Sequence, residues 1–279
     1  MSASVASVEA PSGKDRGDEN FPVGVLVSRR LRGHVHAFYA FARNADDIAD
    51  SASLAAHVKV ARLDRMEEVL LGRRDDGAPS ALRLRQSLRE TGVTPRHSTD
   101  LLIAFRRDAT KLRYRSWDEL LDYCRYSANP VGRHVLDLHR ESDATWGPSD
   151  ALCTSLQVLN HLQDCAKDLA SLDRCYLPLD LLERHGTCVA DLHGAAATPG
   201  LRRVFDELLG HCAELNRRAW ELPRRTRDRR LRLETAVIAG LAHALTRRLR
   251  RGDPVARRVR LTKADAAWSV AGALRFLLP

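Results

Sequence analysis

The sequence predicts an all-α protein. Aromatic residues make up only 5% of its 279 residues, while the good helix formers alanine, leucine and arginine are abundant. Apolar residues recur at spacings of three and four along most of the chain, and no stretch alternates as a half-buried strand would. Two of the predicted helices, 31–50 and 149–170, carry pairs of aspartates four residues apart, and the other helices are expected to form a bundle around them.

The helix boundaries are predicted from local signals. Pro79 begins one helix and Gly92 ends it, and Ser116 with Glu119 forms a capping-box pattern. Ser149 or Asp150 is expected to cap the helix that carries the second aspartate pair. Helices are expected at 31–50, 54–71, 79–90, 95–110, 117–127, 149–170, 179–185, 201–220, 228–250 and 263–278. A further helix, which ends at 139, is expected after a break at 129–132.

The ends of the chain are predicted separately. Residues 1–18 are rich in Ser, Ala, Gly and Asp without periodicity, which predicts a disordered tail, and 19–279 are expected to form a single domain. The last helix carries Trp268, Val270 and Leu274. Packing on the body of the protein is the favoured interpretation of these residues, and contact with a membrane surface is the alternative.

Composition and charge narrow the possible functions. An apolar fraction of 44% indicates neither disorder nor a membrane protein, and no apolar run approaches the ~20 residues that span a bilayer. The net charge of +9 suits anionic partners, but the densest basic run, 224–232, contains no aromatic residue to stack on bases. A solvated face is therefore favoured over nucleic-acid binding. Six cysteines without a CxxC pair and the absence of a signal peptide favour a cytoplasmic protein with reduced thiols.

The two aspartate pairs are the candidate site. Asp46 and Asp50 share one helical face, as do Asp164 and Asp168, about 120 residues later. A bundle could place the two pairs facing one another. Because Mg²⁺ takes one or two carboxylates per ion and fills its other positions with water and phosphate, two facing pairs could hold several Mg²⁺ ions around a diphosphate. Cations suited by position to assist the phosphates are Arg43, Lys167 and Arg174.

Several stretches resemble the squalene/phytoene synthases. The stretches from Tyr39 to Asp50 and from Gln157 to Asp168 are similar to the two signature motifs of that family. Three further stretches, at 19–23, 108–114 and 123–132, resemble its hydroxysqualene synthase branch, which belongs to bacterial hopanoid pathways. Two residues depart from the pattern: Leu169 stands where the branch is expected to have an aromatic, and Gln163 stands where many carotenoid-forming relatives have arginine.

The resemblance implies a fold, a cofactor and a reaction. The expected fold is the isoprenoid-synthase helical bundle around a central cavity, and Mg²⁺ would be held by Asp46, Asp50, Asp164 and Asp168. The substrate implied by the resemblance is presqualene diphosphate, which would lose diphosphate, rearrange as a cation and capture water without a reductant. Carried over by position, the residues near diphosphate are Arg43 and Gln163, those of the substrate channel are Gln157 and Asn160, and the aromatics near the reacting chain are Phe21, Tyr39, Tyr123 and Tyr176.

Two alternatives stay open at this level. The first is a condensing synthase that joins two farnesyl or geranylgeranyl diphosphates. The second is a non-enzymatic helical subunit that assists a partner synthase, although an assembly role does not require all four aspartates. The lipophilic product and the basic surface also favour transient contact of the protein with the inner face of the membrane. The protein is further expected to act beside other enzymes of the squalene pathway.

Overall fold

Helices account for the regular structure of the protein. The computed structural model describes residues 7–9 and 27–277, and within these residues it contains twelve α-helices and no strand. The predicted all-α class is confirmed. The α-helices are α1 (Arg29–Asp50), α2 (Ala56–Leu70), α3 (Pro79–Thr91), α4 (Arg96–Asp108), α5 (Trp117–Ser127), α6 (Asn129–Leu138), α7 (Trp146–Leu172), α8 (Leu179–Arg184), α9 (Pro199–Ala219), α10 (Glu221–Arg225), α11 (Arg229–Arg251) and α12 (Lys263–Ala273). The short 3-10 helices are Asp143–Thr145, Val189–His193 and Leu274–Leu277.

Most helix ends follow the predicted signals. Pro79 lies in the first turn of α3, and Gly92 ends that helix with φ of 74°, in the left-handed region that glycine adopts without strain. Ser116 caps α5, since its hydroxyl accepts a hydrogen bond from the Glu119 backbone N–H at 3.3 Å. The Glu119 carboxylate accepts from the Arg115 N–H rather than from Ser116, so only half of the predicted capping box forms.

The predicted start of α7 is wrong by about one turn. The helix begins at Trp146, directly after a 3-10 helix that Ser142 caps, and Pro148 is tolerated because it lies in the first turn. Ser149 is therefore a buried residue inside the helix rather than its cap. Asp150 also has a different role, because its carboxylate forms an ion pair with Arg133.

A break between α5 and α6 is present, but it lies at Ala128 and not at the predicted 129–132, which form the start of α6. Helix α5 ends at Ser127 and α6 begins at Asn129, with Pro130 in its first turn. Gly132 then allows a close approach of α6 to α7, because a Cβ at this position would collide with Ser149 Oγ and Cys153 Sγ. The break thus sets α6 against the helix that carries the second aspartate pair.

Two apolar clusters hold the bundle together. One is formed mainly by α1 to α4 and includes Phe41, Leu63 and Leu102. The other is formed mainly by α5, α7, α9 and α11 and includes Leu159 and Phe205. Each fully buried side chain of this size contributes about 1.5–3 kcal/mol. Helix α1 belongs to one cluster and α7 to the other, so the two aspartate pairs are carried by different parts of the core.

Part of the predicted tail lies against the bundle. Among residues 1–18 the structure describes only 7–9, and there the Glu9 carboxylate accepts hydrogen bonds from the Ser80 N–H (2.8 Å) and hydroxyl (2.6 Å) at the start of α3. The Val8 N–H donates to the Gly77 carbonyl at 2.8 Å. The predicted disorder of the rest of the tail lies outside the described residues. In the part of the chain that is described, no helix is both long and apolar enough to cross a membrane.

Candidate active site

The first aspartate pair lies in the last turns of α1. Asp46 and Asp50 are one turn apart, so they project from the same face of the helix. Arg43 Nη1 lies 3.2 Å from Asp46 Oδ2, and Arg43 Nε lies 3.5 Å from Asp47 Oδ1. Tyr39, one further turn towards the N-terminus, is half-buried. The face therefore presents an aromatic ring, a cation and two carboxylates in succession.

The second aspartate pair lies in the C-terminal part of α7. Asp164 forms a bidentate ion pair with Arg258, in which Nε lies 2.7 Å from Oδ1 and Nη2 lies 2.8 Å from Oδ2. The Nη2 contact is a hydrogen bond, whereas the Nε contact is an ion pair only, because Oδ1 has no hydrogen-bond partner among the described residues. Lys167, between Asp164 and Asp168 on the same helix, is exposed to solvent. The direct counter-charge of Asp164 thus comes from a segment 94 residues later in the chain.

Arg174 connects the two aspartate helices. It follows the end of α7, is only 7% exposed, and donates from Nη1 to Asp50 Oδ1 of α1 at 2.9 Å. Its Nη2 donates to the backbone carbonyl of Asp108, at the end of α4, also at 2.9 Å. A single buried guanidinium therefore ties together the C-terminal ends of α1, α4 and α7.

The four carboxylates of Asp46, Asp50, Asp164 and Asp168, which we call the aspartate cluster, repel one another. Burial, then the charge of Asp164 and the charge of Asp50 on the other helix raise the pKa of Asp168 to about 7, although Arg174 opposes the increase. Burial and the charge of Asp50 likewise raise the pKa of Asp46. The influence of Asp50 on Asp168 shows that the two pairs lie within electrostatic range of one another. Additional positive charge would therefore stabilise the cluster.

The donor set of the cluster matches a hard divalent cation. Carboxylate oxygens are the ligands that Mg²⁺ takes, and it completes its octahedron with water and phosphate oxygens. Within residues 7–9 and 27–277, no three or more His, Cys, Asp or Glu side chains converge closely enough to hold a metal ion by themselves. The cluster thus fits an ion that is bound by one or two carboxylates and that relies on a phosphate ligand for the remainder.

An aromatic group lies next to Arg174. The hydroxyls of Tyr123 and Tyr176 donate to the two carboxylate oxygens of Asp108, at 2.8 Å and 3.0 Å. The ring of His161 stacks on Tyr176 with the centroids 3.5 Å apart. Burial lowers the pKa of His161 to about 3, so this ring is neutral. Burial also raises the pKa of Asp108 to about 6, although Arg174 and the two phenols oppose the increase.

The polar residues predicted beside the aspartates have distinct surroundings. The Gln157 amide nitrogen lies 3.0 Å from His161 Nε2, and Asn160 is half-buried on the same helix. Gln163 is buried, and its amide donates to the Val259 carbonyl in the segment between α11 and α12. Gln163 Oε1 is buried without a hydrogen-bond partner among the described residues. This amide therefore braces the segment that carries Arg258 and leaves one acceptor unused.

Phe21 and a surface groove are not part of the site as the structure describes it. Phe21, predicted to lie near the reacting chain, is outside the described residues. A surface groove of about 360 Å³ lies between α9 and α11, with Ala213, Trp220 and His243 among its lining residues. None of the four aspartates lines this groove.

Comparison with known proteins places this geometry in a family. The family model for squalene/phytoene synthase matches residues 14–265. The chain belongs to the squalene/phytoene synthase family. It is 46% identical to the hydroxysqualene synthase of Rhodopseudomonas palustris, over 95% of this chain and 91% of that protein, and 44% identical to that of Sinorhizobium fredii, over 92% and 88%.

A solved structure supports the same assignment. Squalene synthase HpnC from Alicyclobacillus acidocaldarius superposes with a TM-score of 0.73 at 33% identity, covering 82% of this chain and 86% of that one. The resemblance inferred from the two aspartate motifs is therefore confirmed at the level of the squalene/phytoene synthase family. The chain has the isoprenoid-synthase helical fold, and it is a synthase of the type that uses prenyl diphosphates.

Sequence reasoning did not single out three residues of this squalene/phytoene synthase site. Asp108, His161 and Arg258 each contact a predicted residue: Asp108 the tyrosines, His161 Gln157, and Arg258 Asp164. An aspartate at the end of the amphipathic helix α4 was a usable signal for Asp108, because a carboxylate at a helix C-terminus is unfavourable unless it has partners. No local pattern distinguishes Arg258 from the other arginines around it.

Proposed function

We propose that the protein is a hydroxysqualene synthase. In this reaction presqualene diphosphate loses diphosphate, the resulting cation rearranges, and water captures it to give hydroxysqualene. The observation that carries the proposal is the identity of 44–46% to proteins of that name over 91–95% of the chain. The geometry supports it, because a carboxylate cluster suited to a cation and a diphosphate lies beside a buried group of aromatic rings.

Mg²⁺ is the cofactor we propose for the aspartate cluster. Asp46 and Asp50 would hold it on one side and Asp164 and Asp168 on the other, with diphosphate oxygens completing its coordination. When bound, the ion would neutralise charge on the departing diphosphate. The carboxylates fit this role because burial and mutual repulsion leave them short of positive charge.

Three arginines would assist the diphosphate. Arg43 and Arg258 each pair with a carboxylate of the aspartate cluster, and Arg174 pairs with Asp50 from a buried position. Guanidinium groups bind phosphate oxygens with the same fork geometry that they use for carboxylates, so each could exchange part of its contact for the substrate. Lys167 is exposed, which favours a role in attracting the diphosphate rather than in holding it.

The aromatic group would stabilise the cation after diphosphate leaves. The faces of Tyr123 and Tyr176 are oriented by their hydrogen bonds to Asp108, and aromatic faces attract cations. The neutral His161 ring stacked on Tyr176 adds no opposing charge. Tyr39, on the face of α1 that carries Asp46, is proposed to line the same space.

Capture of the cation needs a positioned water molecule. Gln163, Asn160 and Tyr39 are the candidates to hold it, with Gln157 bordering the channel. We favour Gln163, because its Oε1 is buried and is without a partner in the described structure, while its amide group is fixed by Val259. An acceptor held in this way could orient a water O–H, which an arginine at the same position could not do.

Product analysis tests the proposal. The purified protein, incubated with presqualene diphosphate and Mg²⁺ but without NADPH, is expected to give hydroxysqualene and inorganic diphosphate. A lack of product, or squalene alone when NADPH is added, would overturn it. Replacing Gln163 with Leu, which keeps a similar volume, is expected to divert the cation to other products, whereas a Gln163→Leu enzyme with the wild-type product would remove Gln163 from the capture step.

A condensing synthase is the second candidate. It is favoured by the likeness, at 33% identity, to the solved squalene synthase HpnC. Incubation with farnesyl or geranylgeranyl diphosphate alone separates the two functions, because only the condensing enzyme releases diphosphate from these substrates. A helical partner subunit without activity would release none from any of them.

We further propose that the protein acts in the cytoplasm in squalene and hopanoid biosynthesis, beside other enzymes of that pathway and in transient contact with the inner membrane face. All six cysteines are free thiols, and four of them are buried, which suits a reducing compartment. Hydroxysqualene is a hydrocarbon chain with one hydroxyl group, so an enzyme of the same pathway or a membrane must receive it.

A further inference from the structure

Helix α12 is attached to the protein by a narrow stripe. Only Asp265, Ser269 and Ala273 of its 11 residues are buried, and these lie at successive spacings of four. A Cβ on Gly240 of α11 would lie 3.0 Å from Ser269, so the two helices approach closely through small residues. The Asp265 carboxylate is satisfied in this contact by Arg248. The predicted packing of the last helix on the body is confirmed, but it uses one narrow face only.

The outer face of α12 is apolar. Eight of its residues are exposed, and Lys263 is the only charged one among them. Trp268 is 78% exposed and Val270 47%, and Leu274, in the 3-10 helix that follows, is 50% exposed. At helical spacing, Trp268 and Leu274 flank a surface of small alanines opposite the buried stripe. An exposed apolar patch of this kind marks a contact surface.

Basic residues are frequent in the chain before and after this face. Residues 247–277 contain nine lysines and arginines and two acidic residues. Both acidic side chains are engaged, Asp265 with Arg248 and Asp253 with backbone N–H groups. Arg257 and Arg260, in the segment that leads into α12, are exposed, and no ion pair of theirs is found in the described part of the chain. Arg257 and Arg260 therefore supply exposed positive charge in the segment next to the patch, which we call its basic rim.

We propose that the outer face of α12 docks on an anionic lipid bilayer. A helix with an apolar face that includes tryptophan, flanked by cations, is suited to lie in the interface with its apolar side in the acyl boundary and its cations at the head groups. A second copy of this chain fits less well, since a two-fold contact would bring the two basic rims together. The inference rests on the membrane contact proposed above and names its surface, but it uses none of the residues of the aspartate cluster.

Docking would also orient the proposed site. The segment between α11 and α12 carries Arg258, which holds Asp164, and Val259, whose carbonyl holds the Gln163 amide. A membrane-bound α12 would thus keep the aspartate cluster near the lipid surface, where a substrate with long hydrocarbon chains resides.

Vesicle binding tests the docking surface. The full-length protein is sedimented with large vesicles of phosphatidylcholine alone or mixed equally with phosphatidylglycerol. Binding to the anionic vesicles is expected, with about a tenfold loss or more in the double variant Trp268→Ser, Leu274→Ser, since two apolar side chains no longer enter the lipid. Ile103→Ser is the matched control, because Ile103 is a 37% exposed apolar residue on α4, and it is expected to bind as the wild type does.

Further measurements decide between lipid and the other occupants. The double variant Arg257→Gln, Arg260→Gln leaves the apolar residues intact and is expected to lose about fivefold in binding per charge. Brominated lipids are expected to quench tryptophan fluorescence in the wild type and less in Trp268→Phe. The proposal would be overturned by wild-type protein that does not bind anionic vesicles, by a Trp268→Ser, Leu274→Ser variant that binds equally well, or by light scattering that shows a dimer which this variant dissociates.

Discussion

Replacing Arg174 with methionine should destabilise the protein far more than an ordinary loss of an arginine. Methionine keeps much of the length of the side chain but removes its charge and its donors. Asp50 then loses a counter-charge held at 2.9 Å, and the Asp108 carbonyl loses a buried donor. Since Arg174 is only 7% exposed, water does not readily replace these contacts.

The expected cost follows from this burial. Removing one partner of a buried ion pair costs about 3–5 kcal/mol, because the other charge is left uncompensated. For a chain of this length such a loss corresponds to a fall in Tm of about 10 °C. Arg113 provides the matched control, since it pairs with Asp173, whose side chain is 67% exposed, in the same region. Arg113→Met should cost about 1 kcal/mol or less.

Denaturation by urea and by heat, without added metal, measures both variants. Arg174→Lys should recover only part of the loss, because one ammonium group cannot reproduce the two-sided contact of a guanidinium. A double-mutant cycle with Asp50→Asn should give a coupling free energy of about 1 kcal/mol or more. If Arg174→Met and Arg113→Met cost the same within about 1 kcal/mol, Arg174 does not tie the helix ends together and this reasoning fails.

The remaining predictions concern the aspartate cluster and its supporting helix. Asp46→Asn and Asp164→Asn should each lower turnover by about 100-fold or more while leaving Tm nearly unchanged, and near-normal product formation by either variant would show that the carboxylates are misassigned. The pKa of Asp168 is raised to about 7 in the folded protein. Its contribution to metal-free stability is therefore present at low pH and is lost as pH rises through about 4 to 7. The Tm increase caused by Mg²⁺ should consequently be larger at about pH 8 than at about pH 5.5. An equal increase at both values would contradict this assignment. Gly132→Ala should cost about 1–3 kcal/mol in urea denaturation, since the new methyl group would collide with Ser149, whereas Gly210→Ala, where the space is open, should be neutral or slightly stabilising.

Helix positions were predictable from the sequence where local chemistry decides them. Proline at the start of α3, glycine after it and serine before α5 act through contacts within a few residues, and the structure confirms all three. The start of α7 was predicted wrongly because contacts outside the local sequence decide it. Serine is a common capping residue, but the 3-10 helix before Trp146 and the contact with α6 place Ser149 inside the helix.

The aspartate pairs themselves could be recognised in the sequence because their spacing matches the helical period. Two carboxylates on one buried face are costly without a cation, so the pattern alone indicated a cation and, with a second pair, a diphosphate. The roles of the individual residues beside the aspartates could not be predicted as closely. Position predicts that Gln163 borders the diphosphate, and the structure adds that its amide donates to the Val259 carbonyl in a distant segment.

The sequence by itself determined the all-α class, most helix boundaries, the two aspartate pairs and the family to which they belong. These properties depend on residue spacing and on interactions within one or two helical turns. Only the tertiary structure decided that Arg174 bridges α1 and α7, that Arg258 holds Asp164 from 94 residues away, and that Asp108 fixes two tyrosines. Such contacts join side chains that are remote in the chain, and among so many arginines no local pattern shows which ones become buried against a carboxylate.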